Sequence, residues 1–302
     1  MFLKEKYDIV QHALKVLSSL ALIFLLQFCT SAKLIIPPIT EKPTSVYLHG
    51  KFVWHDLLTY DVEAAKNFYG ELLGWQFSTR SSGLSDYTTI LKNKIPIGGI
   101  VYVKEIEEKH FSSQWMSYLS VPDVDKAVEF FKAQGGSVIR EPRDIERRGR
   151  MAVVRDPQGA LLALLHSTTG DPLDHEPTNF KWLWEENLTT DVDAAVSFYE
   201  KLVDYDADKL EDPEVLGTKR RYFVLKKDGE SRAGITRIPW EGVRPNWLAY
   251  IKVEDPKRLM GKVEKLGGKI YLPPSDDIRQ GSVAFIADPT GAVLALQKWP
   301  IN

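Results

Sequence analysis

Two stretches of the chain carry one pattern: LTYDVEAAKNFYGELLGW, residues 58–75, and LTTDVDAAVSFYEKLVDY, residues 188–205, 130 positions apart. A second pair repeats at nearly the same distance, since RDPQGALLAL at 155–164 returns as ADPTGAVLAL at 287–296. A repeat that spans more than a hundred residues indicates two copies of one structural unit. The pattern therefore predicts a duplicated fold rather than a local sequence motif.

A weaker repeat divides each half again, because four segments begin with an aspartate, at positions 61, 123, 191 and 255. A short aromatic or β-branched stretch precedes each aspartate and predicts a strand. The aspartate can accept a hydrogen bond from the first turn of a helix, and apolar residues three and four apart follow it. Two or three further strands complete the unit. The sequence therefore predicts an α+β fold made of four βαβββ modules.

Paired βαβββ units with D-x-x-x-A-x-x-F-Y near the start and D-P-x-G near the end resemble the vicinal oxygen chelate superfamily, which includes glyoxalase I, bleomycin-resistance proteins and extradiol dioxygenases. The resemblance implies two glyoxalase-like domains, residues 52–168 and 182–299, joined by a linker at 169–181. Each domain is expected to be a curved mixed sheet that forms a cup, with its helices outside. This fold hosts isomerases, dioxygenases, lyases and drug-binding proteins, so it does not select a function.

The metal site of the metal-dependent members is not expected here. In those members one ligand typically stands seven residues before a helix-starting aspartate, and another is the Glu of D-P-x-G-x-x-x-E. The corresponding residues of this chain are Trp54, Met116, Trp184, Leu248, Ala163 and Ala295. A divalent ion needs about three N or O donors, and none of these side chains provides one. The six histidines, which are predicted to be surface or linker residues, are His12, His49, His55, His110, His166 and His175.

Strand alternation predicts which side chains line the two cups. In the first half these are Phe52, Trp54, Asp56, Met116, Tyr118, Leu161, Ala163 and Leu165. In the second half they are Trp184, Glu186, Leu248, Tyr250, Val293, Ala295 and Gln297. An aromatic and aliphatic lining with few polar groups favours a small, partly aromatic ligand.

Two carboxylates, Asp56 and Glu186, occupy the same position of the two cups and allow two interpretations. Each could orient a ligand or act as a general base, or each could be a structural carboxylate paired with an arginine or with backbone N–H groups. The hydroxyls of Tyr118 and Tyr250 could bond a ligand or that carboxylate, or simply belong to the core. The arginine-rich run at 140–150 is interpreted as solvated hairpin charge.

Composition excludes several classes of protein. Lys and Arg total 39 against 41 for Asp and Glu, so no net field favours nucleic acid as a partner. The single cysteine, Cys29, excludes an intrachain disulfide framework and a cysteine-rich zinc site. No cofactor is predicted.

The N-terminus resembles a secretory signal over residues 1–32, because residues 16–28 form an uncharged apolar run. Either Cys29 is lipidated or the chain is cleaved after Ala32; an uncleaved anchor or a cytosolic amphipathic helix is the alternative to both. Either form of processing places the protein on the periplasmic side of a membrane, attached only through this N-terminal segment. Residues 33–51 are expected to be an extended tether.

The sequence thus predicts an exported glyoxalase-like protein without the usual metal ligands, which binds a small, partly aromatic molecule in one or both cups. One alternative is a lyase, isomerase or dioxygenase of the same fold, either metal-dependent through other ligands or metal-free with Asp56 or Glu186 as base. Another is a scaffold whose cups are filled by Trp54 and Trp184. The pattern decides neither the ligand nor the oligomeric state.

Overall fold

The computed structural model describes residues 36–81, 86–104, 113–210, 214–215, 218–219, 221–239 and 243–301. The predicted signal segment with Cys29, the first residues of the predicted tether, and His12 and His110 lie outside this range. Over the described residues, no helix combines the length and the apolar character needed to cross a membrane.

Strands and helices follow one another in the same order in both halves, except that the second half has an additional two-stranded sheet and a 3-10 helix. The first half contains β1 (Phe52–Thr59), α1 (Val62–Leu73), β2 (Gln76–Ser81), β3 (Asp86–Lys92), β4 (Ile95–Tyr102), β5 (Gln114–Ser120), α2 (Val124–Ala133), β6 (Ser137–Ile145), β7 (Gly149–Arg155) and β8 (Leu161–Ser167). The second half contains β9 (Trp182–Thr189), α3 (Val192–Val203), β10 (Asp206–Lys209), β11 (Glu214–Val215), β12 (Thr218–Lys219), β13 (Tyr222–Lys227), β14 (Glu230–Arg237), β15 (Asn246–Val253), a 3-10 helix (Pro256–Leu259), α4 (Met260–Lys265), β16 (Lys269–Leu272), β17 (Val283–Ala287) and β18 (Val293–Lys298).

Each half forms one eight-stranded mixed sheet, and the two sheets share one strand order. The orders are β2-β3-β4-β1-β5-β8-β7-β6 and β10-β13-β14-β9-β15-β18-β17-β16. The opening strands of the paired modules lie antiparallel at the centre, β1 against β5 and β9 against β15. Both sheets are curved and open, which confirms the predicted α+β fold of four modules in two glyoxalase-like units.

The repeated aspartates start the helices as predicted. Asp61 accepts a hydrogen bond from the backbone N–H of Ala64 at 2.9 Å, and Asp191 accepts one from Ala194 at 3.1 Å. This bond satisfies a donor that the first helical turn cannot pair internally. Each helix therefore begins directly after the strand that carries the predicted cup residues.

The helix-side cores are shared between the two halves. Phe68 of α1 lies in one cluster with Val263 and Leu294 of the second half. Phe198 of α3 packs edge-on against Phe131 of α2, with ring centroids 4.9 Å apart. The predicted domains 52–168 and 182–299 are therefore separate sheets but not separate cores.

Hydrogen bonds between the two copies of the repeated motifs reinforce this arrangement. The D-P-x-G residue Asp156 accepts three backbone N–H bonds through Oδ1, within its own turn. Its Oδ2 accepts a bond from the hydroxyl of Tyr199, which belongs to the F-Y pair of the other half, at 2.9 Å. Burial raises the pKa of Tyr199, so this hydroxyl remains a donor.

His55 lies on the back of the first sheet and is buried, so the prediction that it is a surface or linker residue is wrong. Its Nε2 lies 2.5 Å from Oε1 of Glu185, and its ring stacks on Trp182 with centroids 3.8 Å apart. Ser117 donates to the second carboxylate oxygen of Glu185 at 2.9 Å. His55 does point away from Trp54, as strand alternation requires, but the opposite half covers it. His49 and His166, by contrast, are partly exposed.

Residues 36–50 contain no helix or strand, as expected of a tether, but they are not free. The backbone N–H of Leu48 donates to Asp171 at 2.7 Å, and that of Thr44 donates to the carbonyl of Thr169 at 2.8 Å. Ile39 is buried in the same cluster as Trp54. The described part of the predicted tether therefore packs on the first half and helps to cover its cup.

Candidate functional site

The face of each sheet that points away from the other half carries a cluster of the same residue types: a tryptophan, a carboxylate, two tyrosines and an arginine. The cup 1 cluster consists of Trp54, Asp56, Tyr87, Tyr118 and Arg148. The cup 2 cluster consists of Trp184, Glu186, Tyr222, Tyr250 and Arg279. The first strand of each half supplies the tryptophan and the carboxylate, two residues apart, so both project from one face.

Asp56 is the acceptor at the centre of cup 1. Its Oδ1 accepts bonds from Trp54 Nε1 at 2.9 Å and from the Tyr87 hydroxyl at 2.7 Å. Its Oδ2 accepts a bond from the Tyr118 hydroxyl at 2.6 Å. Burial, and next the charge of Asp56, raise the pKa of both tyrosines, so their hydroxyls stay protonated and can donate.

Arg148 fills the remaining space of cup 1. It comes from the turn between β6 and β7, its Nη2 donates to the Tyr87 hydroxyl at 3.0 Å, and its guanidinium lies 4.5 Å from the Trp54 ring centroid. Arg148 is 0% exposed, Trp54 is 2% exposed and Asp56 is 1% exposed. All three side chains are therefore shielded from solvent.

Glu186 has the equivalent position in cup 2 but a more direct charge partner. Its Oε2 accepts bonds from Arg279 Nη2 at 2.8 Å and from the Tyr222 hydroxyl at 3.0 Å. Trp184 Nε1 donates to the same hydroxyl at 3.1 Å. Burial, and next the charge of Glu186, raise the pKa of Tyr222 and of Tyr250.

Cup 2 differs from cup 1 in its accessibility. Trp184 is half-buried, and the side chain of Arg279 is 29% exposed although the Glu186 side chain between them is buried. The apolar cluster around cup 1 includes Ile39 from the N-terminal segment, whereas the cluster around cup 2 contains no residue of the linker 169–181. Cup 2 is therefore the one whose aromatic lining reaches solvent.

The structure brings together most of the residues that alternation assigned to the cups. Met116, Leu161, Ala163 and Leu165 lie in the cluster around Trp54 and Tyr118, and Leu248, Val293 and Ala295 lie in the cluster around Trp184 and Tyr250. Gln297 is buried and accepts a bond from Arg279 Nη1 at 3.3 Å.

Phe52 is the exception, and its predicted inward orientation is wrong. The pairing of β1 with β5 shifts register between Phe52 and Trp54. The shift turns the Phe52 side chain to the back of the sheet, where its ring lies 4.7 Å from that of Trp247. An irregularity of this kind reverses the alternation on one side of it.

The interpretation of the arginine-rich run at 140–150 as solvated charge is wrong for Arg148, which is buried in cup 1. Arg279, from the corresponding turn of the second half, was equally missed. Tyr87 and Tyr222 were also missed, because they lie on strands β3 and β13 that alternation alone did not connect to the cups. A usable signal was present in Gly99 and Gly234, because a Cβ atom at either position would collide with the hydroxyl of Tyr87 or Tyr222.

The cup residues do not fit a divalent metal ion. Within the described ranges, no group of three or more His, Cys, Asp or Glu side chains is arranged to hold one. Each cup offers a single carboxylate, and its oxygens already accept bonds from tyrosine, tryptophan or arginine donors. A metal site needs about three such donors converging on open space.

A separate surface cavity of about 460 Å³ lies beside the β6–β7 turn. Tyr47, Arg147 and His166 are among its lining residues, and the rings of Tyr47 and His166 stack 4.7 Å apart. It contacts none of the cup 1 cluster residues. The cavity is therefore distinct from either cup.

Comparison with known families and proteins agrees with the fold. Residues 51–164 match the Glyoxalase/Bleomycin resistance protein/Dioxygenase superfamily. The chain is 30% identical over 258 residues to the "Putative glyoxylase CFP32" of Mycobacterium tuberculosis, covering 84% of this chain and 97% of that protein. It is 27% identical over 264 residues to the "Anthracycline biosynthesis protein DnrV" of Streptomyces peucetius, covering 80% of this chain and 91% of that protein.

Solved structures share the architecture at low sequence identity. The Mn(II)-bound glyoxalase from Novosphingobium aromaticivorans aligns with a TM-score of 0.53 and 14% identity, over 83% of this chain and 82% of that one. A variant of homoprotocatechuate 2,3-dioxygenase from B. fuscum aligns with a TM-score of 0.57 and 16% identity, over 87% of this chain and 74% of that one. At these identities the likeness concerns the fold alone.

Proposed function

The chain belongs to the Glyoxalase/Bleomycin resistance protein/Dioxygenase superfamily, and we propose that it binds a small, partly aromatic molecule in cup 2 without a metal ion. The observation that carries this proposal is the half-buried Trp184 beside the buried Glu186. An accessible aromatic wall next to one buried polar group is typical of small-molecule sites. The metal-ligand positions of the superfamily carry side chains in this cup that cannot ligate a metal ion, Trp184, Leu248 and Ala295.

Cup 1 is better suited to a structural role. Trp54, Asp56 and Arg148 occupy its interior and are almost wholly buried, and Ile39 packs over the same cluster. Cup 1 thus fits the alternative in which a cup is filled by its own side chains. In cup 2, by contrast, Trp184 remains partly exposed. We accordingly place the ligand in one cup rather than two.

The relatives support a small organic molecule as the ligand class. Two of them are named for anthracycline biosynthesis, and two are named as putative glyoxylases. These names describe those proteins. For this chain they support a class of ligand and do not identify a particular compound.

The proposal predicts that neutral aromatic probes bind at Trp184. Benzylurea and 2-naphthol would be titrated by calorimetry, and saturation-transfer NMR would detect the bound ring. Trp184→Ala should weaken binding by about tenfold or more, because it removes a contact worth roughly 1.5–3 kcal/mol when desolvated.

Trp299→Ala provides the matched control, since Trp299 is an exposed tryptophan outside the cup 2 cluster. Its affinity for the probes should equal that of the unmodified chain. Binding that survives Trp184→Ala unchanged would place the probes elsewhere and refute the proposal for cup 2.

We also propose that the protein is exported. The support is the uncharged run at 16–28 followed by Cys29 and by the cleavable sequence ending at Ala32. Mass spectrometry of the mature N-terminus distinguishes a lipidated Cys29 from a chain that starts after Ala32. A mature chain that still begins at Met1 would contradict export.

A further inference from the structure

In both cups a guanidinium group lies among aromatic rings beside a carboxylate. In cup 2 the Arg279 guanidinium is 5.8 Å from the Tyr222 ring centroid and 5.6 Å from that of Tyr250, and it pairs with Glu186. In cup 1 the Arg148 guanidinium is 4.5 Å from Trp54 and 5.9 Å from both Tyr87 and Tyr118.

Such a cage selects for positive charge. The faces of aromatic rings carry negative electrostatic potential, and the attraction of a cation to them strengthens when both are removed from water. A buried carboxylate behind the rings adds a charge-assisted hydrogen bond to an N–H donor of the cation. Without its arginine, cup 2 would hold one buried negative charge, Glu186, and no compensating partner among its cluster residues.

The arginines reach the two cages from positions that do not correspond in the sequence. Arg148 stands directly before the turn glycine Gly149, whereas Arg279 stands two residues before Gly281. The residue that corresponds to Arg279 is Arg147, and it is exposed. In each half, therefore, a guanidinium occupies the same chemical environment, although it comes from a different position in the turn. This indicates that the cage itself requires a cation.

Each arginine is held with one unfavourable feature. In cup 1 the buried Nε and Nη1 of Arg148 have no hydrogen-bond partner among the described residues. In cup 2 the turn holds Arg279 at φ 48° and Gln280 at φ 55°, a left-handed conformation that is unfavourable for residues other than glycine. An unsatisfied or strained internal group can be displaced more readily than a well-fitted one.

We propose that cup 2 recognises a small organic cation, whose guanidinium or ammonium head replaces the Arg279 side chain between Tyr222, Tyr250 and Glu186. Arg279 is then an internal competitor that covers the cage when no ligand is bound. The Arg279 side chain is 29% exposed, so it already borders the solvent into which it would move. This inference rests on the proposed function, because it gives the charge of the same partly aromatic ligand.

The test compares benzylguanidinium with benzylurea, a neutral molecule of nearly the same shape, by calorimetry on the full chain. Benzylguanidinium should bind about tenfold more tightly, which is the discrimination expected from a partly desolvated cation–aromatic contact. Arg279→Met should raise its affinity by a further factor of about ten, because the internal competitor is removed. Arg147→Met, at the corresponding position of the first half, should change nothing.

Glu186→Gln should remove the preference for the charged probe, because the carboxylate is lost. If Arg279→Met does not fold, Arg279→Lys provides a variant that retains an internal cation. Equal affinity for the two probes would overturn the cation inference and leave the proposed function standing. Binding of neither probe to either the unmodified chain or Arg279→Met would refute both. Binding of phenylacetate that is lost in Arg279→Met would show instead that Arg279 is part of an anion site.

Discussion

At the residue scale, two glycines allow the tyrosines of the cups to reach the carboxylates. A Cβ atom on Gly99 would lie 2.0 Å from the Tyr87 hydroxyl and 2.5 Å from Oδ1 of Asp56. A Cβ atom on Gly234 would lie 2.1 Å from the Tyr222 hydroxyl. Both glycines pair with the carboxylate residue on the neighbouring strand, Gly99 with Asp56 and Gly234 with Glu186. The absence of a side chain there is a requirement of the hydrogen-bond network.

Gly99→Ala is therefore expected to destabilise the protein by about 1–3 kcal/mol, because the buried hydroxyl of Tyr87 must move away from Asp56. Urea denaturation followed by circular dichroism measures the change. Gly261→Ala is the control: no atom lies within 4 Å of the new Cβ, and Gly261 is helical, so the substitution should be neutral or slightly stabilising. Adding Tyr87→Phe to Gly99→Ala removes the clashing oxygen and should recover part of the lost stability. No recovery would mean that a contact other than the Tyr87 hydroxyl causes the destabilisation.

At the element scale, the repeated helices α1 and α3 differ in how they end. Gly74 follows α1 with φ 65°, and its N–H bonds to the carbonyl of Gly70. Asp204 follows α3 with φ 56° and ψ 56°, so an aspartate adopts the bend that glycine makes in the first half. Lys227 lies 3.0 Å from the Asp204 carboxylate, but that carboxylate is exposed and the pair contributes little.

Asp204→Gly should raise the free energy of unfolding by about 0.5–1 kcal/mol, since glycine adopts the left-handed region without steric cost. Thermal unfolding would show this as a higher Tm. Asp204→Ala should lower Tm, because alanine is disfavoured there and also loses the contact with Lys227. If both substitutions had the same sign, the effect would come from the lost carboxylate and not from the backbone.

At the scale of the whole molecule, the duplicated halves share their apolar cores. The clusters around Phe68 and around Phe198 each combine side chains from both halves. The hydroxyl of Tyr199 joins the two, since it donates to Asp156 and accepts a bond from Trp247 Nε1 at 2.8 Å. Neither half could bury its helix-side apolar surface alone.

Urea unfolding should consequently show one transition, with coincident curves from circular dichroism and tryptophan fluorescence. Tyr199→Phe should shift that single transition by about 1–3 kcal/mol, because it removes the buried hydroxyl that bonds both Oδ2 of Asp156 and Nε1 of Trp247. Tyr271→Phe, at an exposed tyrosine, should leave it in place. Two separate transitions, of which Tyr199→Phe moved only one, would show that the halves fold independently.

The predictions from sequence succeeded where the controlling interactions are local and failed where distant segments meet. Asp61 and Asp191 start helices because their bonds span three residues, and Trp54 and Asp56 share a face because strand residues alternate. Phe52 broke that alternation because a neighbouring strand shifts register against it. Arg148 was misplaced because nothing near it in the sequence indicates that its turn folds back over Trp54.

The repeat by itself determined the fold of this protein, since helix caps, apolar spacing and D-P-x-G turns act within a few residues and recur in each copy. It also determined that the usual metal-ligand positions hold Trp54, Trp184 and other side chains that cannot ligate a metal ion. Only the tertiary structure decided that cup 1 is filled while cup 2 reaches solvent, and that an arginine occupies each aromatic cage. The physical reason is that burial and charge pairing depend on segments far apart in the chain, such as Ile39 with Trp54 and Glu186 with Arg279.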